Sequence, residues 1–334
     1  MIIAEIGQAH DGSIGILHSY IDALAETGVD AIKFQTHIAE AESSAFETFR
    51  IPFSYVDKTR YEYWQRMQLT AQQWVEVREH CHRLKLAFIS SPFSCQAVDL
   101  LEEAGVDKYK VGSGEISNLL LLDKIAKTGK PVILSSGMST MEELDAAVNV
   151  FKRASVEVAV LQCTTAYPTT PEQWGLHIIK ELKSRYKISS GISDHSGDTY
   201  ACLAATALGA NILEFHVVFD KRMFGPDAKA SIEIDEVKKM VSGVRQIRTS
   251  LQSKNDKNEQ VRQMTELKRL FGKSLCINKN LPANHILAFE DLEAKKPAGY
   301  GIAPAEFASV IGKKLNKDLL QWNFLNHQDL HTYE

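Results

Sequence analysis

Residues 2–13 read IIAEIGQAHDGS: a short apolar run interrupted by one carboxylate, Glu5, and then a polar turn. The run reads as a buried strand, and the turn after it decides between two α/β architectures. A doubly wound dinucleotide-binding sheet carries GxGxxG directly after its first strand, because those glycines let backbone approach a pyrophosphate. GQAHDGS does not have that spacing, which favours a closed barrel. Working outward, similar Val- and Ile-rich runs recur as DAIKFQT (30–36), LAFISSPF (86–93), KYKVGSGE (108–115) and PVILSSGM (131–138). VAVLQCTTAYP (158–168), KISSGISDH (187–195) and NILEFHVV (211–218) complete a set of eight. Parallel strands covered by helices on their outer face read as continuous apolar runs of this kind. The intervening segments, among them LHSYIDALAETG (17–28), CQAVDLLEEAG (95–105) and NLLLLDKIAKTG (118–129), have helical spacing and stop on Gly, which suits the left-handed position past a helix end. Eight βα units in roughly 240 residues match a (β/α)8 TIM barrel. The expected organisation is an α/β barrel over residues 1–250, a polar linker over 251–264 and a small domain over 265–334.

Composition narrows the function. The 334 residues are 44% hydrophobic and 24% charged with a formal charge of −4, an ordinary globular balance that excludes disorder and coiled coil. A general nucleic-acid binder needs a basic face to release counterions, so no nucleic-acid partner is expected. No apolar run approaches the ~20 residues needed to cross a bilayer, so no membrane partner is expected either. The opening MIIAEIG reads as a strand and not as a signal peptide. The five cysteines are unclustered, as in a reduced, cytoplasmic protein.

In a barrel of this kind, polar residues at the C-terminal ends of strands face the active-site mouth. Those ends offer Glu5, Lys33, Gln35, Ser91, Lys110, Ser113, Glu115, Ser135, Thr165, Tyr167, Ser193, His195, Glu214 and His216. A lysine inside an apolar strand is costly to bury unless an anion neutralises it. Lys33 and Lys110 with several hydroxyls therefore suit a small phosphorylated anion; alternatively they pair with Glu5 and Glu115 and only hold the barrel. His195 and His216 end consecutive strands, where two imidazoles with water and carboxylate suit Mn2+, Zn2+ or Fe2+. The other possibility is a His–Asp pair using Asp194. His80 and His82 lie mid-helix at i and i+2 and point to different faces. Asp227, in GPD at 225–227, stands near the mouth or is a turn aspartate bonding its own backbone. No Walker A sequence, GxSxG elbow or HExxH is present.

The stretch between the second and third runs is long, and it carries Phe49, Phe53, Tyr55, Tyr61, Tyr63 and Trp64. A loop of that length is a lid or an aromatic-anchored packing insert.

Taken in order, AEIGQAHDG, KFQTH, SSPFS, YKVGSGE, LSSGM, QCTTAYP, GISDH, LEFH and GPD resemble the sialic acid (N-acetylneuraminate) synthase family. NKNLPANHILAFEDL and KKPAGYGI resemble that family's antifreeze-like (SAF, β-clip) domain. The resemblance implies a transferase that condenses phosphoenolpyruvate with an open-chain 2-acylamino hexose such as N-acetylmannosamine. The products are a nonulosonic acid and phosphate, formed by C–O cleavage. It further implies a divalent metal, Mn2+ or alternatively Mg2+ or Co2+, and a homodimer in which the small domain of one subunit caps its partner's barrel. Carried over by motif, the metal ligands are His195 and His216, and the phosphoenolpyruvate contacts are Lys33, Ser91, Lys110, Ser113, Ser135 and Ser193. The active-site carboxylates are Glu5 and Glu115, one of them the base, and the acceptor contacts are Gln35, Tyr167 and Asp227. Departures fall on the acceptor side: IPFSYVD lacks the family's Asn, Thr165 stands where Asn is common, Phe215 replaces a charged residue, and Lys296 replaces the capping-domain Arg. A legionaminic or pseudaminic acid synthase using a diacetamido hexose is therefore the alternative. A phosphorylated-sugar phosphoenolpyruvate aldolase and a non-catalytic sugar-binding protein are less favoured, the first because it lacks the capping domain.

Overall fold

The computed structural model describes residues 1–331; the last three residues of the expected C-terminal domain, 332–334, lie outside them. Strands β1 (Ile2–Glu5), β2 (Ala31–Thr36), β3 (Ala87–Pro92), β4 (Lys108–Val111), β5 (Val132–Ser135), β6 (Val158–Cys163), β7 (Ser190–Asp194) and β8 (Ile212–Val218) pair in parallel in sequence order. The sheet closes through β1 and β8, with Glu5 opposite His216. This is a (β/α)8 barrel. A short β9 (Ile232–Glu233) pairs in parallel with the end of β8 after a loop that carries Asp227.

Alternation along the strands sorts the side chains. Outward residues such as Ile2, Ala4, Ile32, Phe34, Leu213 and Phe215 pack against the surrounding helices in the main core. Inward residues form two levels. Ile3, Ala31, Ile89, Ile133, Ala159, Leu161 and Ile212 fill the lower one with apolar side chains. One step further along the same strands stand Glu5, Lys33, Ser91, Ser135, Cys163 and Glu214, all buried. The period of two therefore carries each strand from hydrocarbon to chemistry within a single pleat repeat. Helix starts are set locally: Thr70 with Gln73 and Thr140 with Glu143 form reciprocal capping boxes. Gly191 on β7 is obligatory, since a Cβ there would sit 1.7 Å from the Ile212 carbonyl oxygen of β8.

The insertion after β2 is folded. A short helix, Ala39–Glu42, and a second, Arg60–Met67, enclose a cluster of Ala39, Tyr63, Trp64 and Met67 with Phe49, Phe53 and Tyr61 packed on it.

The chain divides into two compact units, Met1–Gln252 and Ser253–Glu334. The expected linker, 251–264, is not featureless: Asp256 caps a helix over Lys257–Gln263, and a further helix follows at Thr265–Phe271. Polar composition concealed the first of these, because a helix that buries no face needs no apolar stripe. In the second unit β10 (Ser274–Ile277) pairs antiparallel with β11 (Leu292–Lys295) over a core that includes Leu275, Leu287, Ile302, Val310 and Leu325.

That unit is built from an internal repeat. INKNLPANHILAFEDL (277–292) aligns without gaps on LNKDLLQWNFLNHQDL (315–330). Asn278 and Asn316 each donate to two carbonyls, of Glu290 and Leu292 and of Gln328 and Leu330. Lys279 pairs with Asp291 and Lys317 with Asp329. Asn284 and Trp322, equivalent positions, both take positive φ. The bridge Leu281–Leu319 joins equivalent residues, and the bridges Cys276–Phe324 and Ile286–Lys314 exchange under the repeat. The two halves are thus related by an approximate twofold axis.

Candidate active site

The C-terminal mouth of the barrel opens into a cavity of about 490 Å3. Glu5, Lys33, Gln35, Ser91, Lys110, Ser113, Glu115, Ser135, Thr165, Tyr167, His195, His216 and Asp227 all line it. At its floor the two expected lysines share the Glu214 carboxylate, and Lys33 also meets Glu5. Lys33 Nζ lies 2.7 Å from Glu5 Oε1 and 3.9 Å from Glu214 Oε1, and Lys110 Nζ lies 3.2 Å from Glu214 Oε1. Lys110 also donates to Ser135 Oγ at 2.6 Å, and Lys33 to Ser91 Oγ at 3.4 Å. The alternative pairing of Lys110 with Glu115 is not made; Glu214, inward-facing two residues before His216, takes that place. Ser193 does not line the cavity but donates to Glu214 Oε1 at 2.9 Å, so it holds the carboxylate that holds the lysines.

Burial alone would raise the Glu5 carboxyl, but His216, Lys33 and Lys110 outweigh it and hold Glu5 well below the usual carboxylate range. Burial would likewise lower Lys33, and Glu5 and Glu214 reverse this and raise it. Glu115 differs. It sits on a turn after β4, accepts from Asn118 Nδ2 at 2.8 Å and touches no cation, so burial pushes its carboxyl up.

The two histidines converge, with ring centroids 5.2 Å apart. His195 Nδ1 faces the Thr164 carbonyl at 3.1 Å, which only accepts, so Nδ1 carries the hydrogen and Nε2 a lone pair. His216 Nε2 lies 3.2 Å from Glu5 Oε2. The alternative His195–Asp194 side-chain pair is not formed, since Asp194 accepts from Ser196 N and Oγ. Among the described residues no three His, Cys, Asp or Glu side chains gather into a ready-made cation site. Two convergent imidazoles beside a carboxylate nevertheless fit the donor set of a catalytic divalent metal with open positions.

The Tyr167 ring lies beside His195, tilted at 45° with centroids 4.3 Å apart. Asp227 is not a self-bonded turn residue: its carboxylate meets Arg50 at 3.2 Å, and the Arg50 guanidinium lies 4.1 Å over the Tyr167 ring. Lys296 belongs to the second unit, where its ammonium lies 4.9 Å over Phe271. His80 and His82 do point apart, to Asp22 and to Asp107.

A model of the NeuB family matches residues 20–256. The chain belongs to the NeuB family. It is 33% identical to the N,N'-diacetyllegionaminic acid synthase of Campylobacter jejuni over 95% of this chain and 96% of that one. It is 32% identical to the N-acetylneuraminate-9-phosphate synthase of Mus musculus over 94% and 88% of the two chains. The crystal structure of the N-acetylneuraminic acid synthetase of Leptospira borgpetersenii in complex with citrate superposes with a TM-score of 0.70 at 30% identity, covering 80% of this chain and 92% of that one. The protein is an enzyme of the sialic acid synthase type.

Sequence reading left several cavity residues of this NeuB-family enzyme unassigned. Glu214 stood at a strand end, and its inward register with His216 was the available signal. Cys163 occupies the same level on β6, 3.4 Å from Ser113 Oγ. Trp64, one of the insertion's aromatics, reaches the cavity together with Glu42, Glu47, Arg50 and Arg60; no motif marked those four, because folding of that loop places them. No helix among the described residues is long and apolar enough to cross a membrane.

Proposed function

We propose that the protein condenses phosphoenolpyruvate with an open-chain, unphosphorylated 2-acylamino hexose, N-acetylmannosamine in the first instance, releasing phosphate. The observation that carries this reading is the floor of the cavity, where two buried ammonium groups and serine hydroxyls stand beside two convergent imidazoles. Lys33, Lys110, Ser91, Ser113 and Ser135 bind the phosphate and carboxylate of phosphoenolpyruvate and fix its orientation. Gln35, Thr165, Tyr167 and Asp227 hold the acceptor with its aldehyde carbon towards C3 of phosphoenolpyruvate. His195 and His216 would hold a divalent cation, Mn2+ in the first place, which supplies Lewis-acid polarisation of the aldehyde oxygen. After the carbon–carbon bond forms, water adds at C2 of the former phosphoenolpyruvate and its proton passes to Glu115. The raised carboxyl of Glu115 makes it the better base, because Glu5 is engaged by Lys33 and His216. Collapse with C–O cleavage then frees phosphate. The aromatic insertion keeps bulk water from the mouth.

In the cavity's outer half Arg50 meets Asp227 and Arg60 meets Glu47, which leaves little free positive charge for a second phosphate. A 2,4-diacetamido hexose is the second reading: Arg50 at the acceptor end can donate to a second acyl carbonyl. The C-terminal unit is proposed as the antifreeze-like capping domain of a cytoplasmic homodimer, with Lys296 reaching the partner's acceptor. Light scattering on the full chain tests the dimer.

The reaction is tested by phosphate release from phosphoenolpyruvate with Mn2+, using N-acetylmannosamine, its 6-phosphate and 2,4-diacetamido hexoses in parallel. Release with an unphosphorylated sugar, abolished by EDTA and restored by Mn2+, is expected. Release with the 6-phosphate alone, or with none of the sugars, would overturn the reading.

A further inference from the structure

His37 follows β2 directly, and its ring is completely enclosed. Trp64 stacks on one face at 3.7 Å and 19°, and Phe93 on the other at 4.5 Å and 11°. A ring clamped on both faces cannot turn, so its two nitrogens have fixed directions. Nδ1 meets Glu42 Oε1 at 2.7 Å, and Nε2 meets Gln35 Oε1 at 3.2 Å. The Glu42 side chain is only 7% exposed, and its second oxygen has no hydrogen-bond partner among the described residues. Among the described residues the imidazole is therefore the hydrogen-bond partner of this carboxylate.

At Gln35 the direction is consequential. Gln35 Nε2 donates to Glu5 Oε1 at 2.7 Å, and Glu5 in turn meets Lys33 and His216. An amide presents its nitrogen to Glu5 only if its oxygen points the other way, towards His37. Gln8 Nε2 also donates to that oxygen, at 2.7 Å, but among the described residues Gln8 is held at its own oxygen only by Tyr63 OH, at 3.2 Å. His37 is the rigid donor of the two.

We propose that His37 is a positioning residue: its clamped Nε2–H fixes the Gln35 amide so that Gln35 Nε2 is presented to Glu5 and to the acceptor. The sandwich and Glu42 exist to aim one hydrogen. This deepens the reaction proposed above and rests on that reading for its kinetic readout.

Two amide substitutions separate aiming from packing. His37→Gln places an amide near the Nε2 position and can still donate to Gln35. His37→Asn places it near Nδ1 and keeps a partner for Glu42. His37→Asn should lower kcat/KM for the acceptor roughly 10- to 100-fold, as loss of a supporting hydrogen bond does around catalytic groups. Its KM for phosphoenolpyruvate should stay within about twofold, because Lys33, Lys110 and the serines are untouched. His37→Gln should restore most of the acceptor kcat/KM. A role confined to satisfying Glu42 predicts the reverse order, and that order, equal losses, or a parallel rise in KM for phosphoenolpyruvate would overturn the proposal. If the wild-type enzyme turns over none of the acylamino hexoses, the reaction assignment fails and the positioning role is read from crystal structures of the two variants. The Gln35 side chain should leave hydrogen-bond distance of Glu5 in His37→Asn and keep it in His37→Gln; an unmoved Gln35 in His37→Asn would refute the role.

Discussion

Glu214→Gln separates the charge of the cavity floor from its shape. The glutamine keeps the volume and an acceptor for Ser193, and removes only the negative charge that faces Lys110 at 3.2 Å and Lys33 at 3.9 Å. At an effective dielectric of about 20 those separations correspond to gross attractions of about 5 and about 4 kcal/mol. Most of this is offset by the cost of burying the charges, and breaking such a buried pair typically costs about 3–5 kcal/mol net. With each kcal/mol worth roughly 2–4 °C in a domain of this size, melting should fall by about 6–20 °C. The loss has a counterpart. Glu5 then remains as the only carboxylate on two buried ammonium groups, so an anion gains what Glu214 supplied. Inorganic phosphate should bind the variant about tenfold more tightly than wild type, equivalent to about 1.4 kcal/mol, and should recover part of the melting temperature. The assay is thermal unfolding with and without phosphate, with calorimetry for the dissociation constants. A variant that melts like wild type, or binds phosphate no more tightly, would refute the view that Glu214 holds the lysines for an anion.

Glu115, raised by burial, has to be ionised to take a proton, so kcat should rise with pH through its raised pKa; Glu115→Gln should lose that acidic limb and about 10²–10⁴-fold in kcat, as pH–rate profiles of both proteins will show. Asp194 is raised by burial to about 6 from 3.8. Folding therefore favours its protonated form, and the stability this contributes is present below pH 3.8 and lost as pH rises through about 6. Asp194→Asn, which can keep both contacts to Ser196, should melt higher than wild type at pH 7.5 and flatten the dependence between about pH 4 and 6, measured by thermal melts across that range. Gly191→Ala should give no soluble barrel on expression, because its Cβ would meet the Ile212 carbonyl oxygen at 1.7 Å; a folded variant would show that β7 and β8 can separate there.

Much of the site was legible because a parallel strand has only two faces. Once the apolar runs establish eight strands, Lys33, Lys110, His195 and His216 in their registers have to point either into helices or into the barrel, and charge excludes the helices. Glu5, Ser91 and Ser135 share that inward register. Partners on strands distant in sequence are set by barrel closure instead. Lys110 could be read as a buried cation, but whether Glu115 or Glu214 neutralised it depended on the closure of the barrel, which brings β4 and β8 across the same floor. Ser193 illustrates the same limit: its strand-end position was correct, yet its hydroxyl turns to Glu214 and not to the cavity.

The second unit gives the converse case. Its repeat, 277–292 on 315–330, was visible in the letters as paired Asn-Lys and Asp-Leu steps, but the structure supplied the reason to align them, since equivalent residues bridge each other. The insertion after β2 had no such signal. Its aromatics announced packing without saying what they would pack on, and Glu42, Arg50 and the clamp on His37 gain their meaning only from the fold of that loop.

Strand count and the inward register of the chemical residues could be read from the chain alone, because both follow from periodicity, and the ordered motifs carried the resemblance to the family. Which carboxylate neutralises which lysine, the contact of Arg50 with Asp227 and Tyr167, and the clamping of His37 between Trp64 and Phe93 emerge only on folding. Those are relations between segments far apart in sequence. Their energies depend on separations of a few ångströms that no one-dimensional pattern encodes.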